Sequence, residues 1–441
     1  MRRLARISSL LLLTALGRTA HADDAGVGPN PSPVPARAFA PAVVDEPRAE
    51  TPSAAAPVVK LSGYVQAQYQ YDQSSSDQLA PGGTPLNQNH FVVRRGRLRV
   101  TADWQSWQAV LELDGNTVRG PAASLQRAEL TWRAPGGTRE KPWLAVTAGL
   151  TDIPFGDELT VPQDQLPFLE RSAGSQAFFT GPRDVGVRIH GTLDWFRYDL
   201  AAMNGAPLDE RGGLPSLDPA GALDLIGRLG VDTAPSDSLR ITGGISYLTG
   251  RGFSPGTDAS KAQVVWRDFN GDGQLSDGEL VAVPATAAVA SSTFDRWAVG
   301  VDVAATLQSA LGVTKLALEG ALGDNIDRGL FVADPVLAGR DQRGVTGLVA
   351  LTHDLPWWVY VGVRASLYRP DLDLTDPQRG VLVPASPRYD VISPVLGVRW
   401  SQFAQLVAQG DFIFDTLGRN AVGTPADAAN NRFTLRAQVR F

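Results

Sequence analysis

The chain alternates apolar and polar residues over many short segments, and the alternation is most regular in its last eleven residues. One face of residues 431–441 is apolar: Phe433, Leu435, Ala437, Val439 and Phe441. The opposite face is polar: Thr434, Arg436, Gln438 and Arg440. Successive side chains of a β-strand point to opposite faces, so this pattern predicts a strand with one apolar and one charged face. The closing strand of a membrane barrel has such faces, and an amphipathic edge strand is the alternative.

Similar segments recur through the rest of the chain. We identify about sixteen of them: 58–71, 91–103, 107–114, 124–133, 143–150, 185–193, 196–204, 221–231, 239–248, 294–306, 313–322, 344–353, 357–368, 389–400, 402–411 and 431–441. An even number of strands lets an antiparallel sheet close on itself with both ends on one side of a membrane. The pattern therefore predicts an all-β fold, a transmembrane antiparallel β-barrel of about sixteen strands.

The connections between these segments alternate in length. Those after even-numbered segments are short, as at 103–105, 193–195 and 308–310. Long ones follow most odd-numbered segments, near 72–90, 152–183, 205–220, 249–293, 323–343, 369–388 and 412–430. Outer-membrane barrels have tight turns on the periplasmic side and long loops outside. A β-propeller would require a repeat of roughly 40 to 50 residues, which the sequence does not contain.

The first 57 residues differ in composition from the rest. Residues 1–22 combine an arginine-rich start, a short apolar stretch and Ala20-His21-Ala22, which has the small-residue pattern of a cleavage site. Together they predict a secretory signal peptide. Residues 23–57 are rich in proline and alanine and predict a disordered periplasmic linker. We expect residues 58–441 to form the barrel in the outer membrane of a Gram-negative bacterium, in contact with its lipid.

Charge and cysteine content exclude several kinds of partner. The formal charge is −6, and removal of the four arginines in residues 1–22 takes it to about −10, so we expect no nucleic-acid partner. The chain has no cysteine, which excludes disulfides, thiol nucleophiles and thiolate metal sites.

Arginines alternate with apolar residues on several predicted strands. Burying an arginine without water or a partner is energetically costly, so we expect this polar face to line a water-filled lumen. Eight are predicted to line the pore: Arg95, Arg97, Arg99, Arg188, Arg228, Arg364, Arg436 and Arg440. Guanidinium groups bind phosphate and carboxylate in a fork, so these arginines could favour anions. Alternatively, they pair with acidic residues of the wall and confer no selectivity. The sequence leaves both interpretations open.

Six motifs between residues 58 and 205 resemble, in order, those of the phosphate-selective porin O and P family. They are Phe91-Val92-Val93-Arg94-Arg95-Gly96-Arg97-Leu98, similar to F-x-x-R-R-x-R-L, then 125–130, 148–156, Glu170-Arg171-Ser172, 183–187 and 198–205. The resemblance implies a sixteen-stranded homotrimeric porin, with phosphate selectivity as the family name indicates. It also implies that the third extracellular loop, Asp152 to Pro182, is folded inward to narrow the pore.

Residues 268–279 match the twelve-residue calcium-binding loop D-x-[DN]-x-[DN]-G-x₅-E at every defined position. The predicted ligands are Asp268, Asn270, Asp272, Gln274, Ser276 and Glu279, with Gly273 at the sharp turn. Residues 264–266 and 280–283 on either side are apolar and predict short strands rather than the helices of an EF-hand. We therefore expect calcium as a structural ligand in an extracellular loop. The alternative is a polar surface loop that matches the motif by chance.

Three classes of function fit an exported barrel. An enzyme would need a positioned nucleophile or acid–base pair, but no G-x-S-x-G motif occurs, and His90, His190 and His353 are far apart in the sequence. A surface binding or adhesion protein would need a longer inserted domain. We therefore predict a non-enzymatic porin, without an organic cofactor, for passive diffusion of small hydrophilic solutes or anions. An adhesion protein and an outer-membrane hydrolase are the alternatives.

Overall fold

The computed structural model describes residues 56–73, 89–118, 120–205, 220–266, 273–276, 278–378, 381–419 and 425–441. The predicted signal peptide and nearly all of the predicted linker lie outside these residues. So do three of the six predicted calcium ligands: Asp268, Asn270 and Asp272.

Sixteen antiparallel strands of the described residues form one closed barrel, as the sequence predicts. They are β1 (Val58–Asp72), β2 (Asn89–Trp104), β3 (Trp107–Asn116), β4 (Ala122–Arg133), β5 (Ala145–Asp152), β6 (Arg183–Leu193), β7 (Phe196–Met203), β8 (Asp224–Ser236), β9 (Leu239–Ser254), β12 (Ser292–Ser309), β13 (Gly312–Asp324), β14 (Arg343–Asp354), β15 (Val359–Arg369), β18 (Tyr389–Arg399), β19 (Ala404–Asp415) and β22 (Arg432–Arg440).

The connections contain smaller elements. Three two-stranded sheets pair β10 (Gln263–Trp266) with β11 (Leu280–Val283), β16 (Thr375–Gln378) with β17 (Val381–Pro384), and β20 (Gly418–Arg419) with β21 (Pro425–Ala426). Two short helices are α1 (Ala173–Phe178) and α2 (Pro335–Ala338). Neither helix of the described segments has the length and apolar character required to cross a bilayer.

The barrel closes between its first and last strands. β22 pairs with β1 from Tyr64 opposite Arg440 to Asp72 opposite Arg432. Phe441 extends this pairing, because its backbone N–H donates to the Gly63 carbonyl at 3.0 Å and its carbonyl accepts from the Gly63 N–H at 3.0 Å. The C-terminal segment is therefore the closing strand of the barrel, as the sequence predicts.

The two faces of the wall differ as the alternation predicts. Apolar residues of the outer face are exposed, as for Leu98, Ile245 and Val301, while polar residues on the inner face are buried, as for Arg97 and Gln438. Aromatic residues such as Trp195 and Trp400 are exposed near the short turns. An exposed apolar surface with aromatic rims is stable against lipid, so the wall is a membrane-spanning barrel of the outer-membrane type.

One irregularity in this wall matters for the lumen. In the β1–β2 pair, Gln66 lies opposite Arg95 while Ala67 lies opposite Val93, so Arg94 is an extra residue in β2. A β-bulge of this kind locally changes the direction of side chains. Both Arg94 and Arg95 consequently contact the same carboxylate, that of Glu170.

Candidate functional site: the loop and charged network of the barrel

The loop of residues 153–182, between β5 and β6, is hydrogen-bonded to strands all around the barrel. The Gly156 N–H donates to the Ser246 hydroxyl of β9 at 3.0 Å. The Asp157 N–H donates to the Glu319 carboxylate of β13 at 3.0 Å, and the Leu169 N–H to the Gln409 side chain of β19 at 2.8 Å. These contacts fix one loop to strands that are far from β5 and β6 in the barrel order.

Glu158 is a second fixed point of this loop. Its carboxylate accepts hydrogen bonds from the Ser172 and Ser175 hydroxyls, each at 2.6 Å, and from Arg364 of β15 at 2.8 Å. Ser172 also caps helix α1, since its side chain accepts from the Ser175 N–H. The helix is therefore held against the wall by the same carboxylate that binds Arg364.

Arg171 holds the loop together from inside. Its guanidinium donates to the backbone carbonyls of Glu158, Leu159 and Val161 at 2.9 to 3.1 Å. Burial lowers the pKa of Arg171 to about 10, which the nearby Glu158 carboxylate opposes. Arg171 therefore stays charged at neutral pH and braces the loop.

Apolar side chains of the loop also pack in a hydrophobic cluster with inner residues of β7, β8, β9, β12, β13 and β15. The buried members are Ile153, Phe155, Leu159, Ala177, Phe178, Phe179, Ala201, Met203, Ile226, Leu248, Ala298, Ala321, Ile326 and Tyr368. Burial of these side chains stabilises the contact between loop and wall, at roughly 25 cal/mol per Å² of apolar surface.

Glu170 lies at the centre of a cluster of three arginines. Its carboxylate contacts Arg94 at 2.9 Å, Arg95 at 2.6 Å and Arg436 at 2.6 Å. Burial raises the pKa of Glu170, but Arg95, Arg94 and Arg436 together outweigh this effect and hold the pKa well below its usual range. The carboxylate is therefore ionised at neutral pH.

A chain of ion pairs continues along the inner wall from β2 to β6. Glu112 accepts from Arg99 at 2.5 Å and from Arg97 at 3.0 Å, and it lies 3.6 Å from Arg183. Arg183 in turn contacts Asp152 at 2.8 Å. The chain ends with Arg127, which contacts Asp152 at 2.5 Å and Glu129 at 2.8 Å.

Each of the eight arginines predicted to line the pore has a carboxylate partner. Besides the pairs above, Arg188 contacts Asp199 at 2.7 Å, Arg228 contacts Asp302 at 2.8 Å and Arg440 lies 3.3 Å from Asp164. Glu112 of β3 and Asp302 of β12 are thus acidic wall residues that pair with these arginines. Removing one partner of a buried ion pair strongly destabilises a protein, because the other charge is left uncompensated.

The described residues line at least three cavities inside the barrel. One of about 660 Å³ is on the side of the short turns, and two of about 740 and 390 Å³ are on the side of the long loops. The first is lined by nine Arg or Lys and four Asp or Glu side chains. Each of the other two is lined by five arginines and two acidic residues. Many acidic partners, such as Asp302 and Glu112, lie behind the arginines and outside these linings, so the cavities are bordered mainly by positive charge.

Several residues of this network lie outside the set predicted to line the pore. Regular alternation directs Arg94 toward lipid, and only the bulge turns it inward. Arg127 and Arg183 join the ion-pair chain, and Glu170 comes from a loop whose path the sequence does not determine. A pair of adjacent arginines in a strand is a signal that could have indicated the bulge.

The predicted calcium loop is described in part. The hairpin of β10 and β11 brings its two ends together, with Trp266 opposite Leu280, and confirms the predicted short strands. Gly273 has a positive φ of 71°, as the sharp turn requires. Glu279 is buried, and its carboxylate accepts from the Trp266 indole at 3.0 Å and the Ser276 N–H at 2.9 Å. The Leu275 side chain, in the same segment, is exposed.

Neither the protein-family models nor the curated proteins include a match to this sequence. Several solved structures share its fold. The outer-membrane channel DcaP of Acinetobacter baumannii aligns with a TM-score of 0.53 at 11% sequence identity, over 88% of this chain and 98% of that chain. OprB of Pseudomonas putida has a TM-score of 0.53 at 10% identity, over 88% and 94% of the two chains.

A further similar structure is OmpT, an outer-membrane protein of Vibrio cholerae in a trimer form. Its TM-score is 0.50 at 12% identity, and the alignment covers 88% of this chain and 100% of that chain. At these identities the likeness shows the fold, that of outer-membrane barrels of Gram-negative bacteria. With the exposed apolar wall, this fold places the chain in the outer membrane.

Proposed function

We propose that this chain is a porin with a preference for small anions. The observation that carries the proposal is the loop of residues 153–182, which is fixed across the barrel between cavities bordered mainly by arginines. The loop then narrows the lumen, with Arg97 bordering a cavity on its long-loop side and Arg127 bordering the cavity on its short-turn side. Fixed positive charges close to a solute path raise the local anion concentration even where the whole chain is negative.

The two sequence-based interpretations of the arginines can be combined in this proposal. Each arginine is paired, so none is an isolated positive charge. The guanidinium groups nevertheless border the cavities, while many of their carboxylate partners lie deeper in the wall. We therefore expect a moderate anion preference rather than a strong one. Phosphate selectivity and a homotrimer, both implied by the family resemblance, belong to the same proposal, and the trimer form of the similar Vibrio cholerae structure supports the second.

Reversal potentials in planar bilayers test this function. With unequal KCl concentrations on the two sides, we expect stepwise channel openings and a higher permeability for chloride than for potassium. Arg240→Gln removes a half-exposed cation from the cavity on the short-turn side and should lower the preference. Arg251→Gln is the control, since Arg251 is equally exposed on the same strand but lines none of the three cavities. Preference for potassium contradicts the anion proposal, and absence of channel openings contradicts the porin proposal.

We also propose that residues 268–279 bind Ca²⁺. The closed hairpin, the left-handed Gly273 and the buried Glu279 support this proposal, and the ion would order the loop. Calorimetric titration should show heat of binding with a dissociation constant of roughly 10⁻⁴ to 10⁻³ M. The double variant Asp268→Ala, Glu279→Ala should show none. Equal heats from both proteins would remove calcium from the proposed function.

A further inference from the structure

The loop of residues 325–342, between β13 and β14, is locked onto the loop of residues 153–182. The backbone N–H groups of Arg328 and Gly329 donate to the Ala177 carbonyl of α1 at 2.8 and 3.2 Å. Gly329 approaches so closely that a Cβ atom there would lie 2.1 Å from the Gln176 carbonyl oxygen. The two loops thus form one unit inside the barrel.

The turn at residues 327–331 is rigid. The Asp327 carboxylate accepts from the backbone N–H groups of Gly329 and Leu330 at 3.0 Å and of Phe331 at 3.1 Å. The Tyr368 hydroxyl of β15 also donates to this carboxylate. Leu330 is consequently held in place although its side chain is 44% exposed.

Leu330 borders both cavities on the side of the long loops. The lining of the smaller one, of about 390 Å³, also includes five other branched aliphatic residues: Val92, Val118, Leu169, Val391 and Ile413. The cationic part of the same lining includes Arg364, Arg432 and Arg436. The side chain of Arg432 is 42% exposed and keeps donors accessible beside its partner Asp72.

We propose that this smaller cavity is a subsite for organic carboxylates with a short apolar tail, and that Leu330 determines its specificity. The inference rests on the proposed anion channel. A carboxylate would bind near Arg432 while its tail contacts Leu330 and the neighbouring apolar side chains. An inorganic anion gains nothing from the apolar wall, because that wall offers no hydrogen bonds. The cavity is large enough for the whole of a small organic acid.

Block of the chloride current by straight-chain carboxylates tests this subsite. Acetate, butyrate and hexanoate are added in turn to the long-loop side of the wild-type channel in a planar bilayer. The concentration that halves the current should fall by roughly two- to fourfold for each added methylene, the range expected for partial to full burial of a CH₂ group. Leu330→Ser should remove most of this dependence on chain length and leave block by acetate unchanged.

The matched control is Leu337→Ser. Leu337 lies in the same loop and is 49% exposed, but it lines none of the three cavities. This variant should keep the wild-type dependence on chain length. Equal block by all three acids in the wild type, or equal changes in both variants, overturns the subsite. A chloride-preferring channel with such a result leaves the proposed function intact, whereas a potassium-preferring channel contradicts that function directly.

Discussion

Glu170→Gln is expected to destabilise the junction between the loop of residues 153–182 and the wall by about 3–5 kcal/mol, the usual effect of leaving buried charges, here Arg95 and Arg436, without their partner. The substitution leaves Arg94, Arg95 and Arg436 close together without their shared carboxylate. Glutamine retains one acceptor oxygen, so the loss is chiefly electrostatic. Thermal unfolding in detergent, followed by circular dichroism or by the heat-dependent shift in gel mobility, measures the effect.

The same substitution should change the response to acid. The pKa of Glu170 lies well below its usual value of about 4.5 in the folded protein. Its stabilising contribution is therefore complete above pH 4.5 and is lost as the pH falls through the lower, folded-state pKa. We expect the difference in stability between wild type and Glu170→Gln to be constant near neutral pH and to shrink under strongly acidic conditions.

Asp295→Asn is the control for this experiment. It also converts a carboxylate to an amide, but the Asp295 side chain is 89% exposed and its carboxylate lies 3.3 Å from the exposed Arg251. An exposed pair of this kind contributes roughly 0–1 kcal/mol. If Glu170→Gln unfolds at the same temperature as Asp295→Asn, the cluster at Glu170 does not hold the loop.

Much of the barrel can be predicted from the sequence because each strand has one face toward lipid and one toward water. This constraint gives β22 its alternation and sets the start of β1 at Val58. Several boundaries are less accurate. The segment predicted to end at residue 248 continues to Ser254, and its neighbour begins at Ser292 instead of 294. These residues extend the strands toward the long loops, where lipid no longer enforces alternation. The connection of residues 134–144 is also longer than predicted for a short turn.

The candidate site is less predictable because its contacts join residues distant in sequence. Arg228 of β8 reaches Asp302 of β12 across the intervening strand β9. It can do so because Gly244 lies below it, where a Cβ atom would be 2.7 Å from the Arg228 guanidinium. Alternation alone predicts the direction of Arg228 but not its partner. The same limit applies to Glu170, whose position depends on the path of a thirty-residue loop.

Gly156→Ala is expected to release the loop from β13 and increase the single-channel conductance. Gly156 has a φ of 64°, and a Cβ atom there would lie 2.1 Å from a carboxylate oxygen of Glu319. That carboxylate accepts hydrogen bonds from the backbone N–H groups of Asp157 and Glu158, at 3.0 and 2.8 Å. The added methyl group must therefore displace either the loop or the acceptor that holds it. If the loop narrows the lumen as proposed, its displacement widens the pore and more current passes.

Gly339→Ala is the control that separates the steric clash with Glu319 from backbone strain. Gly339 has a φ of 69°, almost the same as Gly156, but no atom lies within 4 Å of its Cβ position. Both substitutions place alanine in the left-handed region, at a cost of roughly 1–2 kcal/mol. Gly156→Ala should thus change both conductance and thermal stability, whereas Gly339→Ala should lower stability slightly and leave conductance unchanged. Identical conductance in the wild type and both variants would show that the contact with Glu319 does not set the width of the pore.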